Sequence, residues 1–145
     1  MTMYCRATED QQVVLQRVLE KHHDRLSMAG VTIDLLEARS ELDEEGEPNA
    51  PALTHGGYEA LAIARVVSHR DRVKGCADAS IEIDGHWWEE ASVQERKALV
   101  DHELCHLEVV YEDLEQEIPK AGPGRAGEAQ DSQARPSVWV VRRGS

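Results

Sequence analysis

From Val14 onward, apolar positions recur in steps of three and four: Val14, Val18 and Leu26 in line, Leu15 and Leu19 beside them, and His22 in the same stripe. That period predicts an amphipathic helix between Thr8 and Ala29. Thr8 and Gln11 have capping-box spacing, Glu9 and Asp10 suit the electropositive start of a helix, and Gly30 supplies a stop. The period then changes. Val31, Ile33 and Leu35 alternate and predict a strand over 31–38, as do Ile81 and Ile83 within 79–84. Residues 41–57 collect Asp, Glu, Pro, Asn and two adjacent glycines, and predict a solvated acidic loop. Residues 58–68 fit helix and strand alike, and Ile63 to Val67 is read as strand. His69 to Gly75 reads as a basic turn. A second helix is predicted from the capping box of Ser92 and Glu95 through to Glu117, where Pro119 forbids continuation. Residues 121–134, rich in Gly, Pro, Gln and Ser, predict a flexible loop, and 137–142 a short closing strand.

Two helices and several short strands in 145 residues predict one α+β domain over 1–145, with a small antiparallel or mixed sheet. A chain of this size can bury roughly two thirds of its unfolded surface, enough to fold without disulfides. Aromatics are few, three Trp, three Tyr and no Phe, so the core must rest on Leu, Val, Ile and Ala. Sixteen basic against 28 acidic side chains give a net charge of −12, which argues against a nucleic-acid partner. Cys5, Cys76 and Cys105 are odd in number and form no C-x-x-C pair, as expected of a reduced, cytoplasmic protein. No apolar run approaches the ~20 residues of a membrane span, and neither a signal peptide nor a membrane partner is expected.

Within the second predicted helix lies His102-Glu103-Leu104-Cys105-His106, an H-E-x-x-H motif. Residues four apart on a helix share a face about 6 Å apart along the axis, so two imidazoles can grip one tetrahedral zinc ion. Glu103 lies about 100° around the axis, where its carboxylate can act as general base on a water at the metal's open side. As mere decoration of an acidic helix the motif would be solvated. Here Leu99, Val100, Leu104, Leu107, Val109 and Val110 flank it. Zn2+ on His102 and His106 is therefore the expected cofactor, with Glu103 catalytic. Other residues get plainer readings. Cys105 is expected in the core, His22 and His23 at the surface or the edge of the stripe and not as ligands, His55 and His69 in solvent, and His86-Trp87-Trp88 as a core lid.

Asp101-His-Glu-Leu-Cys-His-Leu107, preceded by Glu95-Arg-Lys-Ala-Leu-Val100, resembles the active helix of the phage-type metallopeptidases, a zincin-like family of phages and bacterial genomes. Arg70-Asp-Arg-Val-Lys-Gly-Cys-Ala-Asp78 with Ile81-Glu-Ile-Asp84 is similar to the family's turn and strand before that helix. Arg135-Pro136 and the Val-rich segment after it resemble its close, so the likeness spans about 58–142. The resemblance implies a zinc peptidase acting on protein or peptide substrates. It also implies a further His beyond the closing strand, where this chain has Arg143-Gly144-Ser145.

A catalytic zinc takes three protein ligands and keeps one position open, yet no His follows His106. Glu112 has the offset of the third metzincin ligand, but those chains need Gly where this one has Val109. On a continuous helix Glu112 falls about 9 Å beyond His106, and Asp113 further still. Asp131 in the linker is another candidate. Truncation of the chain, a carboxylate ligand and an incomplete site all stay open, and with them a rival reading: a degenerate zincin-like domain that binds metal or protein without turnover. A metal-dependent nuclease is the weaker rival, because the Glu after the first His and the acidic charge both speak against it.

Overall fold

In the computed structural model, residues 2–111 and 138–142 are described. Four strands form the main sheet: β1 (Thr2–Arg6), β2 (Ile33–Ser40), β5 (Ala62–Val66) and β6 (Ala79–Asp84). Their order is β1-β2-β6-β5, with β2 and β6 parallel and both outer pairs antiparallel. The class is thus α+β with a small mixed sheet. A hairpin of β3 (Leu53–His55) and β4 (Tyr58–Ala60) and a ribbon of β7 (Leu107–Tyr111) and β8 (Val138–Arg142) complete the strands. Five helices are present among the described residues: α1 (Glu9–His22), α2 (Asp24–Met28), α3 (His69–Val73), α4 (Gly85–Glu90) and α5 (Val93–Leu104). None is long and apolar enough to cross a membrane.

α1 and α5 pack together on one face of the sheet. Val14, Leu15, Val18 and Leu19 of α1 and Val100 and Leu104 of α5 are buried with Leu35, Ala64, Ile81 and Ile83 of the strands. Each of these Val, Leu and Ile side chains contributes about 1.5–3 kcal/mol when fully buried. On the opposite face a smaller cluster of Ala38, Ala52, Leu53 and Ile63 lies where the β3–β4 hairpin folds over the sheet.

Four sequence expectations change. The helix predicted over 8–29 is two helices, because His23 leaves helical geometry at φ −133° and ψ 52°. Its stop is as expected. Gly30 takes φ 71°, and the N–H groups of Gly30 and Val31 reach back to the carbonyls of Ser27 and Leu26 in a Schellman arrangement. The acidic loop over 41–57 is partly ordered. Leu42 bridges Pro48, Ala52 and Leu53 are buried, and Gly56 and Gly57, at φ 60° and 84°, make the two-residue turn of a hairpin. The basic turn at His69 is the single-turn helix α3, where Ser68 Oγ accepts the Asp71 N–H.

The fourth change concerns the motif-bearing helix, the fifth among the described helices rather than the second. It ends at Leu104, not Glu117. From Leu107 the period is two: Leu107 and Val109 are buried, Glu108 half-buried and Val110 exposed. The β-branched pair suits a strand, and antiparallel pairing of β7 with β8 supplies the hydrogen bonds a helix would otherwise make. The expectations for 112–117, for the flexible loop 121–134 and for Asp131 lie outside the described residues, as do Glu112, Asp113 and Arg143 to Ser145.

Candidate metal centre

α5 is anchored at its start and along its inner face. Ser92 Oγ accepts the Glu95 N–H at 3.1 Å and Glu95 Oε1 accepts the Ser92 N–H at 2.8 Å, closing both halves of the capping box. The Ser92 backbone N–H, helped by the Ser92 side chain, holds the Glu95 carboxyl below its ordinary 4.5. One residue on, Arg96 Nε donates to the Trp88 carbonyl at 2.8 Å, and its guanidinium stands 5.1 Å from the Trp88 ring centre. Trp88 is buried, and its Nε1–H donates to Asp10 Oδ2 at 3.1 Å. Trp88 thus fastens α1, α4 and α5 together, and Trp87 packs half-buried against the same core.

At the other end of α5, Val100 and Leu104 face the core, which turns His102 outward to solvent. Cys105 keeps right-handed helical angles, φ −64° and ψ −19°, and the His106 N–H still reaches the Glu103 carbonyl at 3.1 Å. The helical spacing of the motif therefore survives to His106 although the helix proper has ended. The two imidazoles stand edge to face with centres 4.9 Å apart. Glu103 is buried, and its carboxylate and the donor nitrogens of both histidines all lie within 4.8 Å of one another. A buried carboxylate is costly without partners, and this one sits beside two groups that can share a cation with it.

Such a donor set fits a borderline divalent metal. Two imidazoles and one carboxylate are zinc-type donors, and bonds of about 2.0–2.2 Å would need only small side-chain adjustments to close on one ion. His102 and His106 would hold it. Glu103 is placed either to complete the ligand set or to meet a water beside the metal.

One neighbour departs from expectation. Cys105, expected in the core, is exposed, because the helix turns Leu104 inward and the next residue falls about 100° away. His23, expected at the surface or the edge of the stripe, is half-buried, and its Nε2–H donates to Asp101 Oδ1 at 2.6 Å. The break between α1 and α2 aims that ring at α5. The i, i+4 spacing of Asp101 and Cys105 was the only sequence signal that this side of the helix carries donors too. His55 and His69 are exposed, as expected. Arg72 of the basic segment pairs with buried Asp78 at 3.6 Å.

A protein-family model described as "Putative phage metallopeptidase" matches residues 3–126, and the chain belongs to that family. The match begins in β1 and takes in the whole N-terminal half, further than the resemblance over 58–142 reached, and it stops before the closing strand. No curated protein and no solved structure matches the chain. The family is one of metallopeptidases, which calls for a metal, and the grouping of His102, Glu103 and His106 offers a fitting set of donors.

Proposed function

We propose that this chain is a zinc-dependent peptidase of zincin-like architecture, with His102 and His106 as metal ligands and Glu103 as general base. The observation that carries the reading is the convergence of two imidazoles and a buried carboxylate at the end of one helix. Zinc, when bound there, supplies a Lewis acid that polarises a peptide carbonyl and makes water acidic enough to attack at neutral pH. Glu103 accepts the proton of that water and returns it to the leaving amine, and burial keeps bulk water from competing for its oxygens. His102, on the exposed side, leaves room for substrate to approach. An extended peptide or unfolded segment is the natural substrate, pairing with β5, the sheet edge on the side of α5.

The test is a pair of variants read for zinc and for turnover. His106→Ala should lose its zinc by elemental analysis while staying soluble. Glu103→Gln keeps size and hydrogen bonding but cannot take the proton. It should hold its zinc while hydrolysis of an unfolded protein falls about 10²–10⁴-fold. Loss of zinc together with activity in Glu103→Gln would make this residue a ligand instead. Full retention of both would remove the mechanism. A wild-type chain that binds zinc and hydrolyses nothing would favour the non-catalytic zincin-like reading.

A further inference from the structure

The end of α5 carries two donor pairs, not one. Asp101 and Cys105 precede His102 and His106 by one residue each, so they form a second i, i+4 pair about 100° around the same helix. A third donor meets them from another element. Where α1 breaks, His23 projects onto α5, and its donor nitrogen, an Asp101 oxygen and Cys105 Sγ all lie within 4.8 Å of one another. None of these three belongs to the His102, Glu103 and His106 group.

We infer that His23, Asp101 and Cys105 form a second divalent-metal site, of zinc type, that clamps α2 to the end of the motif-bearing helix. The donors choose the metal. Imidazole, carboxylate and thiolate together suit zinc or cobalt, whereas calcium and magnesium take oxygen ligands. Geometry permits it with little motion. Tetrahedral bonds of about 2.0–2.3 Å set ligand atoms about 3.3–3.7 Å apart, so the His23–Asp101 contact of 2.6 Å must open by about one ångström. The Asp101 side chain is 46% exposed and can swing to allow it.

An ion can also reach the place. Asp101 lines a cleft of about 680 Å3 between α1 and α5, and His23 and Cys105 line a second of about 290 Å3 beneath α2. His22 lines both clefts, and Glu108 adds an acidic wall to the second one. Three protein donors leave a fourth position for water or a substrate group. A clamp here would fix the point where α5 gives way to β7, and with it the placing of His106. The site stands independently of the peptidase reading.

Cobalt(II) tests it, because only a thiolate ligand produces a sulfur-to-cobalt charge-transfer band in the near ultraviolet. The full wild-type chain titrated with Co2+ should show that band and bind more metal than Cys105→Ser. That variant should lose the band, and His23→Gln should weaken or lose it. His102→Ala should keep it while losing its own equivalent, so failure of one site is told apart from failure of the other. Cys105 is exposed, so its substitution should leave the circular dichroism spectrum unchanged. Absence of the band in the wild type would overturn the inference. So would a band that survives in Cys105→Ser, since it would then come from Cys5 or Cys76.

Discussion

Gln11 shows how much one side chain's surroundings can alter what a substitution means. In the capping box at the start of α1, Gln and Glu are interchangeable, since either can accept the Thr8 N–H. In the fold, Gln11 Oε1 accepts that N–H at 2.9 Å while Nε2 donates to Glu37 Oε1 at 3.2 Å, and the residue is 1% exposed. Glu37 is itself buried and also takes a hydrogen bond from Arg39 Nη2 at 3.0 Å. Gln11→Glu would keep the cap yet remove the donor and set a carboxylate against a carboxylate. It should cost about 3 kcal/mol, the scale of an uncompensated buried charge contact. Gln16→Glu, the same change on the exposed side of α1, should stay within about 0.5 kcal/mol. Urea midpoints of the two variants check this, and equal midpoints would show that Glu37 has another way to relax. Nothing in the sequence pairs position 11 with position 37, because a strand 26 residues away supplies the partner.

The capped starts of α1 and α5 and the stop at Gly30 were legible, but the break at His23 and the end of α5 were not. Thr8 and Ser92 cap their own helices through residues three positions on, so a local reading finds them. The end of α5 depends on β8, and the break at His23 accompanies a contact with Asp101, so neither cause lies nearby in the chain. β1 escaped for a related reason. Met3, Tyr4, Cys5 and Arg6 are all exposed, leaving no alternation to read, and the strand is held by backbone pairing with β2. The cap on α5 makes a prediction at this scale. Ser92→Ala should cost about 1 kcal/mol, the usual worth of an N-cap hydroxyl. Glu95, held below 4.5 by the Ser92 N–H, binds its proton less readily in the folded than in the unfolded chain. Its contribution is therefore complete above 4.5 and is lost as pH falls through the lowered folded value. Glu95→Gln keeps an acceptor without the charge. Its melting temperature should thus fall less than that of the wild type between neutral pH and the acid range. Parallel slopes would show that the box owes nothing to ionisation.

For the whole molecule, the class and the meeting of His102 with His106 followed from periodicity, because both depend on spacing along one element. Which side of α5 meets the core did not follow, since apolar residues surround the motif and only packing against α1 and the sheet selects a face. Leu104 and Cys105 are neighbours that this choice separates completely: Leu104 is 0% exposed in the main core, and Cys105 lies in solvent. Leu104→Ala should therefore remove about 2–5 kcal/mol, a large part of the roughly 5–15 kcal/mol that holds a domain together. At about 3 °C per kcal/mol the melting temperature should drop clearly. Cys105→Ala should stay within about 0.5 kcal/mol of the wild type. Both are to be measured with a chelator present, so that metal binding adds nothing to either chain. Once metal is restored, Leu104→Ala should also hold zinc less tightly, because loosening α5 frees His102 and His106 to move apart. Equal destabilisation by the two substitutions would mean that α5 is rotated about its axis, and the outward placing of His102 would fall with it.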